Sequence, residues 1–254
     1  MARPDGLTIV NFHGNQLLGQ LLGREGIEFD VRKFGWLGVP VRDNTVCALT
    51  KASGITSLEK WMAAKTPVKI GGVAPGDTPH DTARILQAAL GLPIHLVRGY
   101  KGTAEIRLAA ESGEVAGGCW QWESIKVTWR KALESGDVAV VLQVTPRALP
   151  DLPQVPVARN LAKTEEARLL LQAGVQDPTT LSRLYAVSPA TPRDRLQTLR
   201  TAFMATMRDP EFLAEAQKAK LDLEPLSGEE LERMVNGMFG LDPALVAKLK
   251  GILK

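Results

Sequence analysis

The stretch GYKGTAEIRLAAESGEVAGG, residues 99–118, decides the fold of this chain. It runs from a glycine-rich turn through a helical pattern at 103–112 into an apolar segment at 114–119 that is typical of a strand. Gly113 follows the helical pattern, where a glycine can end a helix in the left-handed conformation at no steric cost. The stretch therefore predicts a helix followed by a strand, preceded by a turn whose tip carries one aromatic side chain and one lysine.

The segments on either side repeat this pattern. Short apolar runs at 68–72, 94–98 and 138–144 alternate with helical periodicity at 79–90 and 123–135. A glycine stands just past each helical segment, as expected for a helix end. Such alternation is typical of βαβ units around a mostly parallel sheet. The centre of the chain is therefore predicted to be a doubly wound α/β domain.

The composition narrows the class of function. The chain has 254 residues, of which 44% are hydrophobic and 23% charged, as in ordinary globular proteins. Its 31 basic and 28 acidic residues form no long basic run, which argues against nucleic acid as a partner. There is no GxSxG or HExxH motif, and the three histidines are not spaced as a metal site. We therefore expect a binding protein without catalytic residues, metal or cofactor, and not an enzyme.

The two cysteines, Cys47 and Cys119, have no CxxC spacing and no histidine pair nearby, so a zinc site is excluded. A disulfide between them remains open. Two buried free thiols are the interpretation that the sequence favours, because free cysteines are among the most buried residues.

The segment GGVAPGDT, residues 71–78, has the glycine spacing of a phosphate-binding loop, but Asp77 stands where a lysine is required. A carboxylate there would repel phosphates, so nucleotide binding is not expected. A helix should begin at this point with its free N–H groups facing the loop, which attracts an anion. Alternatively, Asp77 and Thr78 satisfy those N–H groups themselves.

Four strand ends carry unusual side chains, and in open α/β sheets ligands bind outside the carboxyl ends of the strands. The turn after the second strand offers Tyr100 as an aromatic wall and Lys101 as a cation, although Lys101 could equally be a solvated loop lysine. Of Trp120 and Trp122, one is expected in the core and the other at a pocket. His80, in the first turn of the helix after the first strand, could hydrogen-bond to a ligand or to the loop.

Four motifs in sequence order carry a family resemblance: PDGLTI at 4–9, GVAPGDTPHDTARIL at 72–86, GYKGTAEIRLAAESGEVAG at 99–117 and ALPDLPQVP at 148–156. Together they resemble the substrate-binding proteins of tripartite tricarboxylate transporters, the Bug family. The resemblance implies a two-lobe periplasmic-binding-protein fold of type II, α/β in class, with mixed or mostly parallel sheets flanked by helices. The boundaries predicted from it are 1–43 and 147–254 for lobe 1, and 44–146 for lobe 2.

The function implied by the resemblance is capture of a small organic acid between two closing lobes, for delivery to the membrane subunits of such a transporter. Asp77 departs from the small hydroxyl residues common at its position; an amide or cationic group on the solute, or a purely capping role, would each explain it. The resemblance and the loop chemistry together predict these ligand-binding residues: His13, Gly14, Asn15, Gly76, Asp77, Thr78, His80, Tyr100, Lys101, Gly102 and Trp120.

The resemblance also implies a periplasmic location, although the sequence as it stands begins after the export signal and the first strand that family members have. We therefore expect either a truncated chain or a shortened relative, whose first lobe would expose a sheet edge through which a homodimer could form. The alternative functions are a cytoplasmic ligand-sensing or interaction module that reuses the fold, and an enzyme that acts on a small acid through His80.

Overall fold

The structure, a computed structural model, describes residues 3–219 and 221–254. The chain divides into two compact units. Unit 1 comprises residues 1–43 and 178–243, and unit 2 comprises residues 44–177 and 244–254. Residues 147–177 and 244–254 thus belong to unit 2, whereas the sequence assigned them to the first lobe. This corrects the second predicted boundary, because the proline-rich segment and the helices after it pack against the unit 2 sheet and α-helices.

The described residues form nine strands. They are β1 (Ile9–Phe12), β2 (Gly35–Val39), β3 (Thr45–Thr50), β4 (Val68–Gly71), β5 (Ile94–Val97), β6 (Gly117–Gln121), β7 (Val138–Val144), β8 (Leu184–Val187) and β9 (Leu226–Ser227).

The described α-helices number thirteen. They are α1 (Gly14–Leu21), α2 (Leu58–Met62), α3 (Thr78–Leu90), α4 (Thr103–Glu111), α5 (Trp122–Thr128), α6 (Arg130–Ser135), α7 (Ala158–Leu161), α8 (Glu165–Leu171), α9 (Asp177–Thr180), α10 (Arg193–Thr206), α11 (Pro210–Lys218), α12 (Gly228–Met238) and α13 (Pro243–Ile252). Two short 3-10 helices (Val31–Lys33 and Lys51–Ser53) and a π-helical segment (Gln172–Gln176) complete the helical structure of the described residues.

Unit 1 is built on a four-stranded sheet in the order β1-β8-β2-β9, in which each neighbouring pair is antiparallel. In the part of the chain that the structure describes, β1 pairs with β8 on one side and with no strand on the other. Leu7, Ile9 and Val10, in and just before β1, are 86%, 49% and 38% exposed. The β1 edge of this sheet is therefore open and carries apolar side chains.

Unit 2 is built on a five-stranded sheet in the order β5-β4-β6-β3-β7. β4 is parallel to both β5 and β6, whereas β3 is antiparallel to β6 and to β7. The sheet is thus mixed, and helices of the same unit pack against it. The predicted α/β class with helix-flanked mixed sheets is confirmed.

The strands and helices predicted between residues 68 and 144 lie within a few residues of the observed ones, with one exception. The helix predicted at 123–135 is two helices, α5 and α6, which meet at Trp129. The backbone of Trp129 is not helical, with φ −113° and ψ 16°. Its ring lies 5.4 Å from that of Trp120 between centroids, and its Nε1 donates to Glu111 Oε1 at 2.9 Å. Burial of this side chain in the core accompanies the break between the two helices.

A buried cluster on one face of the unit 2 sheet, here called the tryptophan core, joins α4, α5 and the strands. Trp120, Trp129, Ile106 and Ile125 lie in it, each at most 2% exposed. Burying side chains of this size contributes roughly 1.5–3 kcal/mol each. The tryptophan core is thus a main source of stability in this unit.

Cys47 and Cys119 form a disulfide, which corrects the expectation of two free thiols. The two residues are far apart in sequence, but they are direct partners in the antiparallel pairing of β3 with β6. Both side chains are fully buried. The cross-link therefore joins two adjacent strands inside the unit 2 sheet.

The π-helical segment Gln172–Gln176 follows α8 without a break. It packs against α3, where a Cβ on Gly174 would lie 2.8 Å from Cδ1 of Ile85. A side chain at Gly174 would require Ile85 to shift, so a glycine suits this close approach.

Candidate functional site

The loops after β4, β5 and β6 leave the unit 2 sheet at the same edge, because these three strands are parallel. Two backbone bonds extend the pairing of β4 with β5 beyond the strand ends. Gly72 N–H donates to Val97 O at 2.8 Å, and Gly99 N–H donates to Val73 O at 3.2 Å. The first two loops are thereby joined into one rim at the edge where α/β proteins bind ligands.

Asp81 organises the turn that begins α3. Its Oδ1 accepts the Gly76 N–H at 3.0 Å and lies 2.9 Å from Nδ1 of His80. His80 and Asp81 are each only 1% exposed. Gly76 has a φ of +101°, a conformation that favours glycine. His80, predicted to bind ligand, is here a buried partner of Asp81 that helps to order the turn.

Asp77 is the N-cap residue of α3, with an extended backbone of φ −95° and ψ 147°. Its side chain makes no capping hydrogen bond, so a purely capping role does not explain an aspartate at this position. The residue is exposed. The loop therefore places a carboxylate beside the positive end of the helix.

The hydroxyl of Thr78 is held by Gln121, the last residue of β6. Gln121 Nε2 donates to Thr78 Oγ1 at 3.1 Å, so the hydroxyl keeps its own hydrogen for another acceptor. Gln121 was not among the predicted site residues. The sequence signal that could have identified Gln121 is its position between two tryptophans at the end of a predicted strand. The pairing of β6 with β4 brings Gln121 to Thr78.

Side chains of unit 2 contact the turn after β5 and accept its hydrogen bonds. The ring of Tyr100 packs against the tryptophan core, and its O–H donates to Glu114 Oε1 at 2.7 Å. Burial, followed by the Glu114 carboxylate, raises the pKa of Tyr100 to about 12. Lys101 is exposed, while its backbone N–H donates to Glu105 Oε2 at 2.8 Å. Gly102 is the N-cap of α4 with an extended backbone that other residues also adopt.

Trp120 is a core residue, which corrects its assignment to the ligand wall. Its side chain is fully buried and packs against the tilted ring of Trp129. Trp122 is 8% exposed; its Nε1 donates to Asp151 Oδ2 at 3.2 Å, and Lys126 Nζ lies 5.9 Å from its ring centroid. Both tryptophans therefore contribute packing to unit 2.

In unit 1, the three predicted residues follow β1 directly and begin α1. His13 is the exposed N-cap, and Asn15 is 9% exposed. A Cβ on Gly14 would lie 2.3 Å from Pro178 O and 2.9 Å from Leu181 Cβ. Gly14 is thus explained by the close approach of two backbone segments within this unit.

Residues 3–219 and 221–254 contain no group of three or more His, Cys, Asp or Glu side chains that could hold a metal ion. No helix among them is both long enough and apolar enough to cross a membrane.

Solved structures cover nearly the whole chain. An adipate-bound protein from R. palustris matches with a TM-score of 0.73 and 20% identity, over 98% of this chain and 80% of that chain. The chain has the fold of a solute-binding protein. The periplasmic binding protein BugD, with the same fold, matches with a TM-score of 0.70 and 18% identity, over 99% of this chain and 80% of that one.

A third match to this solute-binding fold is MatC from Rhodopseudomonas palustris with bound malate, with a TM-score of 0.69 and 15% identity, over 100% of this chain and 81% of that one. No protein-family model and no curated protein matches the sequence. At these identities the likeness is one of fold.

Proposed function

We propose that the protein binds a small organic acid as an extracytoplasmic solute receptor and is not an enzyme. The observation that carries the proposal is the rim of unit 2, where the Thr78 hydroxyl, oriented by Gln121, lies at the start of α3. The Bug-family resemblance points to the same loop. Capture by closure of two lobes stays a prediction.

The chemistry of this rim suits a carboxylate. A helix start has N–H groups without intrahelical partners and a partial positive charge, and both stabilise an anion. The Thr78 hydroxyl can donate a further hydrogen bond. Such a bond is shorter and stronger when its acceptor is charged than when it is neutral. The exposed Lys101 adds a cation on the neighbouring loop. His13 and Asn15 are the groups that we propose for unit 1.

The neighbours' ligands support the same class of solute, since one structure contains adipate and another malate. Asp77 distinguishes this chain, because its carboxylate would repel a second carboxylate held close to it. We therefore infer a solute that carries an amide or a cationic group near the acid that α3 binds.

The Cys47–Cys119 disulfide supports a periplasmic location, because disulfides persist in oxidising compartments and are rare in the cytosol. It argues against the alternative of a cytoplasmic sensing module. Delivery to the membrane subunits of a tripartite tricarboxylate transporter is proposed on the family resemblance.

The open β1 edge supports a homodimer, because unpaired strand edges with apolar side chains pair readily with another chain. Light scattering of the purified protein should then give twice the chain mass. Ile9→Lys should shift that mass to the monomer value. A monomeric wild-type protein at micromolar concentration would exclude this dimer.

The central experiment is calorimetric titration with a panel of small acids that includes adipate, malate and their amide-bearing and amine-bearing analogues. We expect one acid to bind, and Thr78→Val or Gln121→Leu to weaken it about tenfold, the equivalent of one lost hydrogen bond to a charged group. Thr198→Val, which removes an exposed hydroxyl on α10, is the matched control. Unchanged binding in both rim variants would refute the site.

A further inference from the structure

Unit 2 has a polar cavity of about 370 Å³ between α3 and the edge strand β5. Neither Thr78 nor Tyr100 lines it, so it is separate from the proposed acid site. The lining residues, which come from α3, β5 and the residues that follow β5 and α13, are His80, Arg84, Gln87, Ile94, His95, Leu96, Arg98 and Lys254. We call this cavity the basic pocket.

The charge of the basic pocket is one-sided. Arg84 and Arg98 contribute positive side-chain charges, and none of the lining side chains is acidic. Within residues 3–219 and 221–254, the side chains of Arg98 and His95 make no hydrogen bond or ion pair to another residue. Like charges around one cavity repel each other unless an anion neutralises them.

The basic pocket is also ordered by hydrogen bonds. Arg84 Nε donates to Ile252 O at 3.1 Å, which fixes the guanidinium. Gln87 Nε2 donates to Ile94 O at 3.3 Å, and its Oε1 lies 3.5 Å from Nη1 of Arg84. The terminal nitrogens of Arg84 therefore keep donors for an incoming oxyanion in a fixed geometry, as bidentate recognition requires.

We propose that the basic pocket is a second binding site, for a small anion that carries two or more phosphate or carboxylate groups close together. A monovalent acid would neutralise only one of the two arginine charges. The cavity is also larger than a single carboxylate needs. The proposal depends on unit 2 alone and stands whether or not the protein binds organic acids at the Thr78 rim.

The test is titration of the whole chain with inorganic pyrophosphate and with citrate, at constant ionic strength, with acetate as the monovalent control. We expect saturable one-to-one binding of pyrophosphate, citrate or both, and none of acetate. Arg84→Gln should weaken that binding about tenfold, and Arg98→Gln, whose side chain is more exposed, about threefold. Arg208→Gln, an exposed arginine on unit 1, should leave it unchanged.

Arg98→Gln keeps the test valid if Arg84→Gln fails to fold, because Arg98 makes no described contact that folding would lose. Binding in the basic pocket should also shift the NMR resonances of the His95 ring. Absence of saturable binding by both anions, or equal weakening in Arg98→Gln and Arg208→Gln, would overturn the proposal. Thr78→Val separates the two sites, because it should weaken binding of the organic acid and leave pyrophosphate unaffected.

Discussion

Removal of the Cys47–Cys119 cross-link should strongly destabilise unit 2. The bond joins residues 72 apart in sequence. In the chain-entropy description, opening a loop of that length returns about 15 cal/mol/K to the unfolded chain, or about 4.4 kcal/mol at 25 °C. Residual structure in the unfolded chain reduces this value, so we expect the Cys47→Ala/Cys119→Ala variant to lose about 3–4 kcal/mol.

Urea unfolding followed by tryptophan fluorescence measures this loss, since Trp61, Trp120, Trp122 and Trp129 all lie in unit 2. The control is the wild-type protein in reductant, which should approach the variant's midpoint because it lacks the same cross-link. Two outcomes would contradict the reasoning: two reactive thiols per chain in denaturant without reductant, or a variant within about 1 kcal/mol of the wild type.

Three further perturbations test the packing and the electrostatics. Trp120→Ala should lower the folding free energy measured by urea unfolding by about 3–5 kcal/mol. If the variant folds, its dissociation constant for the solute should be unchanged. A loss of affinity without a loss of stability would show that Trp120 contacts the solute. Gly14→Ala should destabilise unit 1 by about 1–3 kcal/mol because of the clash with Pro178 O, while Gly237→Ala on α12, which meets no atom within 4 Å, should not. Burial raises the pKa of Asp177 from 3.8 to about 6 despite opposing effects from Gln172 and Arg159. The folded state then holds the proton more tightly than the unfolded one, so the stability that this carboxyl contributes below pH 4 should be lost as the pH rises through 6, by at most about 3 kcal/mol. Urea unfolding at pH 4.5 and 7.5 measures the change in folding free energy, and Asp177→Asn should lack most of it. An equal change in the wild type and the variant would exclude Asp177 as its source.

The helices and strands between residues 68 and 144 could be predicted because their signals are local. Gly91, Gly113 and Gly136 follow helices with φ of +66°, +82° and +76°, and each marks its helix end in the sequence itself. The rim loops were found for the same reason, since they follow directly from strand ends.

The features that the sequence did not reveal depend on which strands become neighbours. The disulfide requires β3 to lie antiparallel beside β6, and the bond from Gln121 to Thr78 requires β6 to lie parallel beside β4. Burial decided one more case, because Trp120 has a side chain suited to a ligand wall but lies inside the unit. The spacing of residues along the chain determines neither which strands become neighbours nor which side chains are buried.

The π-helical segment Gln172–Gln176 has a consequence for how this chain should be aligned with relatives. A π turn accommodates one more residue than an α turn over the same stretch, so a relative with a regular helix here would be one residue shorter. Alignments should therefore carry a single-residue gap between Leu171 and Asp177. Without it, each later position would be matched to a neighbour that points about 100° away around the helix axis.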